Sequence, residues 1–217
     1  MVENRPLAVV TGASSGIGYE LARQFAKHHY DLVVAAEDED ITAAAGELRR
    51  DGGHTVEAVR ADLATEAGVE QVYRVIPGPV DALAMNAGRG ACGDFSRDAD
   101  LRDQLEIVDV NVRATVHLAK RVLPDMVHRG AGRALFTSSL AAPLPGTYQA
   151  VYQASAAFVE SFAAALQAEL RDTGVTVTAL LPGPTDMHDP ADVARLGYEA
   201  LLAGRPRVIA VSFPTNA

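Results

Sequence analysis

The hydrophobic and polar positions follow two alternating patterns along the 217-residue chain. Short apolar runs of strand length alternate with longer stretches in which apolar residues recur at helical spacing. The apolar runs predict seven β-strands, at residues 7–13, 31–37, 54–63, 80–86, 132–138, 175–182 and 207–211. The intervening stretches predict six helices, at residues 15–29, 40–51, 65–76, 101–129, 151–172 and 190–203. This alternation is typical of βαβ units and predicts an α/β fold, a parallel sheet with helices on both faces.

Composition favours a single domain over residues 1–217. With 48% hydrophobic residues the chain can bury one sizeable core, and no shift in composition marks a second one. The longest apolar runs are far shorter than the roughly 20 residues of a membrane-spanning helix. The first residues lack the charged and apolar regions of a signal peptide, and the single cysteine, Cys92, suits a reducing compartment. We therefore expect a soluble, cytoplasmic protein.

Charge and cysteine content argue against two kinds of site. A formal net charge of −9 opposes binding to nucleic acid, because phosphate backbones are bound by clustered Lys and Arg. Cys92 has no Cys or His neighbours at the spacing of metal ligands, so no metal site is predicted.

A glycine-rich loop joins the first predicted strand to the first helix. Residues 11–18 read Thr-Gly-Ala-Ser-Ser-Gly-Ile-Gly. In such a loop Gly12 permits a tight turn, Gly16 lets the backbone approach a diphosphate, and Gly18 lets helix and strand pack closely. The free amides and the helix dipole then face an anion. The loop predicts dinucleotide binding, with a ligand-free glycine turn as the alternative; the contacts would come from Gly12, Ser14, Ser15, Gly16, Ile17 and Gly18.

Acidic residues follow the second predicted strand. Glu37 lies nineteen residues after Gly18, at the offset from which an acidic side chain accepts hydrogen bonds from the adenosine ribose. Residues 37–40 would repel a 2′-phosphate, and no Arg or Lys in the glycine loop or just after the strand offsets that repulsion. NAD is therefore predicted over NADP, unless the acidic run is only a solvated loop and helix start. At the end of the third strand, Asp62 and Leu63 are expected beside the adenine.

Four further motifs occur in order along the chain. Residues 86–88 read Asn-Ala-Gly and close the fourth predicted strand, and Asn111 lies in the long helix that follows. Ser139 ends the fifth strand thirteen residues before Tyr152, and residues 182–185 read Pro-Gly-Pro-Thr after the sixth. With the glycine loop, these motifs make the chain resemble the short-chain dehydrogenase/reductase family over nearly its whole length. The resemblance implies a Rossmann-type, doubly wound parallel sheet with strand order 3-2-1-4-5-6-7.

The same resemblance implies an oxidoreductase that transfers hydride between a nicotinamide cofactor and a carbonyl or alcohol substrate. It makes Tyr152 the proton donor or acceptor and a cofactor contact, Ser139 the residue that orients the substrate oxygen, and Asn111 the holder of a proton-relay water. Asn86 fits either a cofactor contact or a hydrogen bond that locks two strands, and Ser138 is interpreted as a packed hydroxyl. Further cofactor contacts are implied for Asn86, Ala87, Gly88, Pro182, Gly183 and Thr185.

One residue of the family pattern is missing. The family has Tyr-x-x-x-Lys, whereas residues 152–156 read Tyr-Gln-Ala-Ser-Ala. Residues four apart share a helix face, so a lysine in place of Ala156 would set its ammonium beside the Tyr152 phenol and favour the ionised phenolate. Without it, alcohol oxidation, in which Tyr152 acts as a base, is expected to suffer more than carbonyl reduction.

Other cations could take the place of the missing lysine, and the segment before the last helix also bears on turnover. At ~100° per residue, Lys120 is expected on the helix face opposite Asn111, while Arg89 and His188 stay open as substitutes. The family usually covers its substrate with a long segment after the sixth strand, but here residues 186–189 lead directly into the last helix. The alternative function is a non-catalytic dinucleotide-binding or scaffold protein derived from that family.

The helix predicted at residues 151–172 is apolar nearly all round. Such a helix is buried on more than its sheet side, so a homodimer or homotetramer is expected, as the resemblance also suggests. The alternative is an alanine-rich helix chosen only for its helix propensity.

Overall fold

The centre of the protein is a parallel β-sheet, seen in a computed structural model that describes residues 5–52, 55–140, 148–183 and 188–211. Within these residues the strands are β1 Leu7–Thr11, β2 Asp31–Ala36, β3 Val56–Arg60, β4 Ala82–Met85, β5 Gly132–Thr137, β6 Val175–Pro182 and β7 Arg207–Ala210. Neighbouring strands pair in parallel, in the order β3-β2-β1-β4-β5-β6-β7. The predicted doubly wound sheet and its strand order are confirmed.

Burial along the strands follows from their position in the sheet. Every residue of the central strands β1 and β4 is buried, because crossover helices cover both faces of a parallel sheet. The edge strand β3 instead exposes Glu57 and Arg60. His54, at the predicted start of this strand, lies outside the described residues.

The helices cover both faces of the sheet. They are α1 Gly16–Lys27, α2 Asp40–Gly52, α3 Glu66–Arg74, α4 Leu101–Val108, α5 Thr115–Arg129, α6 Ala150–Glu169 and α7 Pro190–Leu202. Thr65, Asp100 and Asp189 cap the N-termini of α3, α4 and α7 through side-chain oxygens that accept backbone N–H groups. No helix among the described residues is both long enough and apolar enough to cross a membrane.

Two apolar layers flank the sheet. One joins it to α3, α5 and α6 and includes Val69, Leu118 and Val159. The other joins it to α1, α2 and α7 and includes Leu21 and Leu48. Both layers bury the helix faces that the periodicity marked as apolar.

The helix predicted at residues 101–129 is not a single α-helix. A π-helical turn, Asp109–Ala114, separates α4 from α5, and the buried Asn111 stands within it. Such a turn changes the phase of the side chains that follow, so a uniform ~100° per residue does not hold across this helix. Lys120 is nevertheless exposed on α5.

Candidate active site

A groove of about 360 Å³ runs along the carboxyl ends of the central strands. Ligands of open parallel sheets bind at this edge, where the strand order reverses. Most residues expected to bind the cofactor line the groove, namely Gly12, Ser14, Ser15, Glu37, Asp62, Leu63, Asn86, Ala87 and Gly88. Asp38 and Arg89 also line it, as do the apolar side chains of Ala36, Ala61 and Val110, for which no role was predicted.

The glycine loop has the geometry of an anion cradle. Gly12 and Gly16 have φ angles of +67° and +57°, a left-handed conformation that favours glycine. A methyl group added at Gly18 would collide with the backbone oxygen of Gly12 and the side-chain amide of Asn86. At Gly16, by contrast, no atom of the described residues lies within 4 Å of such a methyl group. The backbone here is open to a diphosphate, so the residues present fit a dinucleotide.

Thr11 ties the ends of β1 and β4 together. Its hydroxyl oxygen accepts hydrogen bonds from the backbone N–H groups of Asn86 and Ala87, both at 3.0 Å. The side-chain oxygen of Asn86 accepts a hydrogen bond of 3.1 Å from the hydroxyl of Thr137, at the end of β5. Asn86 thus makes a strand-locking hydrogen bond and also lines the groove. Its cofactor contact stays a prediction.

The end of the groove expected to hold adenosine is acidic, and a cation that the sequence analysis did not consider lies beside its acidic run. The Asp38 carboxylate accepts a hydrogen bond of 2.8 Å from the hydroxyl of Ser14 in the glycine loop. Arg60, on the neighbouring strand β3, donates from Nε to the backbone oxygen of Glu37 at 3.1 Å, and its guanidinium lies 3.9 Å from the Glu39 carboxylate. The glycine loop and the residues just after β2 contain no Arg or Lys, as the sequence analysis noted; Arg60 comes from β3, because strand pairing brings in a residue that is distant in sequence.

Asp62 lies in a turn beyond β3 rather than at the end of that strand, which stops at Arg60. Its carboxylate accepts a hydrogen bond of 2.9 Å from the backbone N–H of Ala64, and its backbone oxygen accepts one of 2.9 Å from the Thr65 hydroxyl. Local bonds of this kind compete with the sheet ladder and end the strand early.

The described residues contain no group of three or more His, Cys, Asp or Glu side chains arranged to hold a metal ion.

A buried hydrogen-bond chain joins the loop after β4 to α6. The side-chain oxygen of Asn111 accepts from the backbone N–H of Arg89 at 2.8 Å. Its Nδ2 donates to the backbone oxygen of Arg89 and to the hydroxyl of Ser155, both at 2.9 Å. The Ser155 hydroxyl then donates to the backbone oxygen of Tyr152 at 2.7 Å. Ser155 had no predicted role; the available signal was a polar residue in the apolar helix, three positions after Tyr152.

Tyr152 lies in the first turn of α6, and Ser138 and Ser139 follow β5. A ring carbon of Tyr152 lies 3.5 Å from the position that a Cβ would take at Gly90, so the phenol ring packs against that glycine. Ser138 is buried and donates its hydroxyl to the backbone oxygen of Ala156 at 2.7 Å, which fits its interpretation as a packed hydroxyl. Ser139 is partly buried, two residues after the end of β5.

Position 156 holds an alanine in a buried place on α6. Ala156 is 6% exposed, one turn after Tyr152. Arg89, one of the cations considered as a substitute, directs its guanidinium to α4, where it lies 2.9 Å from the Glu106 carboxylate and 3.5 Å from that of Asp103.

The residues expected at the nicotinamide end follow β6. Pro182 is the last residue of that strand, and Gly183 donates its backbone N–H to the backbone oxygen of Ala210 at 3.1 Å. A Cβ added at Gly183 would meet the ring of His188, so this ring lies against the turn. Thr185 lies outside the described residues, and its cofactor contact stays a prediction.

Comparison with known proteins agrees with this geometry. Residues 6–193 match the short chain dehydrogenase family. Sulfoacetaldehyde reductase 2 of Chromohalobacter salexigens is 34% identical over 185 residues, which are 82% of this chain and 71% of that protein. Oxidoreductase UcpA of Salmonella typhimurium is 33% identical over 182 residues, or 81% of this chain and 68% of that protein.

Solved structures are also similar. The bulky-bulky ketone specific alcohol dehydrogenase from Comamonas testosteroni has a TM-score of 0.89 and 27% identity, covering 99% of this chain and 88% of its own. A short-chain dehydrogenase from Sphingobium yanoikuyae, in complex with NADPH, has a TM-score of 0.87 and 27% identity, covering 98% and 89%. From its groove, its ordered motifs and these matches, the chain belongs to the short-chain dehydrogenase family of nucleotide-binding oxidoreductases.

Proposed function

We propose that this protein is a nicotinamide-dependent oxidoreductase that acts on a carbonyl or alcohol group of a small molecule. The observation that carries the proposal is that one edge of the sheet holds both the glycine cradle, open above Gly16, and the hydrogen-bonded pair of Asn111 and Ser155 beneath Tyr152. The first feature suits a diphosphate, and the second holds the backbone of Tyr152, whose phenol ring packs against Gly90 in the loop after β4.

The bound cofactor would supply or accept the hydride, and the chain's own groups would handle the substrate oxygen and its proton. Tyr152 donates a proton to that oxygen in reduction and removes one in oxidation. Ser139 orients the oxygen, and Asn111 holds a relay water while its amide fixes the loop at Arg89. Pro182, with Gly183 and Thr185, contacts the nicotinamide end.

We also propose a preference for NAD over NADP. The carboxylates of Glu37 and Asp38 line the groove, where they would accept ribose hydroxyls and repel a 2′-phosphate. Arg60 lies within an ion-pair distance of Glu39 and offsets that charge, while Glu37 and Asp38 remain on the groove lining, so the repulsion is reduced without being reversed. Two structurally similar proteins were solved with NADPH, so the preference of this chain depends on its own acidic residues.

Slow turnover, weighted toward reduction, is proposed because position 156 has no cation. In reduction a neutral phenol is already the acid, whereas oxidation requires the phenolate that an ammonium would stabilise. The same alanine supports a second candidate function, a dinucleotide-binding protein without turnover.

Fluorescence titration of NADH, followed by assays with a panel of small ketones and aldehydes, tests the proposal. We expect saturable NADH binding, weaker NADPH binding, and slow ketone reduction that is lost in Tyr152→Phe while NADH binding is kept. Binding without any turnover in the panel would favour the non-catalytic candidate. Tighter binding of NADPH than of NADH would contradict the role given to Glu37. If neither nucleotide bound, both the oxidoreductase and the non-catalytic dinucleotide-binding protein would be ruled out.

We further propose a homodimer or homotetramer that works in the cytoplasm, where an exposed thiol such as Cys92 stays reduced. Large apolar side chains are exposed to solvent on several helices. They include Leu101 and Leu105 on α4, Val116 on α5 and Phe158 on α6. Surface patches of this kind mark association sites. A second copy, pairing the same helices about a twofold axis, would cover them.

A further inference from the structure

Arg89 has an unusual place in the groove. Among the described residues that line it, Arg89 is the only one with a permanent positive charge, while the acidic lining residues are Glu37, Asp38 and Asp62. A dinucleotide brings two further negative charges with its diphosphate. The glycine loop offers amides and a helix dipole but no cationic side chain, so Arg89 is the groove's available counter-charge.

The backbone of Arg89 is fixed while its side chain has room to turn. Asn111 holds both the N–H and the carbonyl oxygen of Arg89, at 2.8 Å and 2.9 Å. The side chain is 43% exposed and reaches Glu106 at 2.9 Å and Asp103 at 3.5 Å. Ion pairs that are exposed to this degree contribute little to stability, so giving them up costs little.

Neither carboxylate is left without compensation when Arg89 turns away. Glu106 also lies 3.0 Å from the guanidinium of Arg102, one turn earlier on α4, and keeps that partner. Asp103 is 49% exposed, so water would hydrate its carboxylate in place of Arg89. The free energy of the exchange therefore depends mainly on the hydrogen bonds and charges that the guanidinium meets in the groove.

We propose that Arg89 exchanges Glu106 and Asp103 for the diphosphate of a dinucleotide bound in the groove. The inference rests on the proposed function only in requiring that this groove binds a dinucleotide. An Arg guanidinium presents a planar fork of donors that matches phosphate oxygens, and charge-assisted bonds of this type are among the stronger ones. Arg89 then links cofactor binding to α4 through the carboxylates that it leaves.

The test compares two arginines that share Glu106. Calorimetry of Arg89→Ala, Arg102→Ala and the unaltered protein would measure Kd for NADH, ADP-ribose and adenosine. We expect Arg89→Ala to raise Kd for NADH and ADP-ribose about tenfold, because one charge-assisted hydrogen bond to the diphosphate is lost. The Kd for adenosine, which has no phosphate, should change by no more than about twofold. Arg102→Ala should bind all three like the unaltered protein, and thermal unfolding would confirm that both variants are folded.

Glu106→Gln tests the exchange itself. Removing the competing charge should tighten NADH binding about two- to threefold in the presence of Arg89 and have no effect in the Arg89→Ala background. Equal NADH affinities for Arg89→Ala and Arg102→Ala would overturn the role of Arg89, and weaker binding by Glu106→Gln would overturn the exchange. If the unaltered protein bound no NADH at all, the proposed function itself would fail instead.

Discussion

Ala156 occupies a buried position one helical turn after Tyr152, where its methyl group can neither attract a phenolate nor bind a ribose. We expect Ala156→Lys to raise the rate of alcohol oxidation about a hundredfold, because an ammonium beside the phenol favours the base form of Tyr152. Ketone reduction should change much less. Initial rates in both directions with one alcohol–ketone pair measure the effect.

Ala157→Lys is the matched control, because it adds the same charge at the next, exposed position of α6. Equal gains from both variants would mean that general electrostatics, and not a group beside the phenol, raises the rate. No gain from Ala156→Lys in a folded variant would show that something else limits turnover, such as the proposed lack of a substrate-covering segment before α7.

Alanine substitutions at two glycines of the same loop are expected to differ, one lowering stability and the other lowering NADH binding. Gly18→Ala places a methyl group against the backbone oxygen of Gly12, and this overpacking should lower the free energy of unfolding by about 1–3 kcal/mol. Gly16→Ala meets no described atom and should cost only about 1–2 kcal/mol for a left-handed alanine, yet its methyl group enters the space proposed for the diphosphate. NADH binding should therefore fall at least tenfold in a variant that is still folded, as denaturant unfolding and titration together would show. Unchanged NADH affinity in Gly16→Ala would contradict the cradle.

Among the secondary-structure elements, the π-helical turn positions Asn111 to join the loop after β4 to α6. It lies where α4 passes the loop after β4, and Asn111 reaches from it to both that loop and α6. Periodicity could not predict this turn, because the apolar pattern of residues 101–129 continues on both sides of it. The partners of Asn111 on the loop after β4 and on α6 are distant in sequence and do not enter that pattern.

The contact between α3 and α5 predicts a pH dependence of stability. One carboxylate oxygen of Glu70 lies 2.7 Å from both Nε of Arg121 and Nε2 of His117. The hydrogen bond from Arg121, followed by that from His117, holds the pKa of Glu70 below its usual range. Because the folded-state pKa is the lower one, the stabilisation is present above the ordinary carboxyl pKa and is lost as the pH falls through the folded value. Glu70→Gln should thus have a lower Tm than the unaltered protein at pH 7, with the gap closing below about pH 4.

Differential scanning fluorimetry from pH 3 to pH 8 measures this gap. Glu57→Gln on β3 serves as the control, because Glu57 is exposed at the sheet edge. A gap of constant size over the whole range would mean that the ionised carboxylate of Glu70 does not stabilise the fold.

For the whole molecule, the exposed apolar side chains on α4 and α6 predict association. Leu105 is 54% exposed on α4, which packs beside α6 and its exposed Phe158. Leu105→Glu should weaken the homodimer at least tenfold, since a charge would be buried at the interface centre. Leu202→Glu, on α7 and also exposed, should leave association unchanged. Sedimentation velocity over a concentration series separates the two, and a monomer at all concentrations of the unaltered protein would contradict the proposal.

The sequence by itself determined the seven strands, the parallel sheet and its glycine loop, because periodicity, turn residues and local spacing are encoded by neighbours along the chain. It also located the motifs that line the groove, from Gly12 to Gly88. The tertiary structure alone decided which distant residues join them: Arg60 beside the acidic run, Asn111 beside Ser155, and Arg89 in the groove with partners on α4. Contacts of this kind arise from strand pairing and helix packing, which bring together side chains that no local pattern relates.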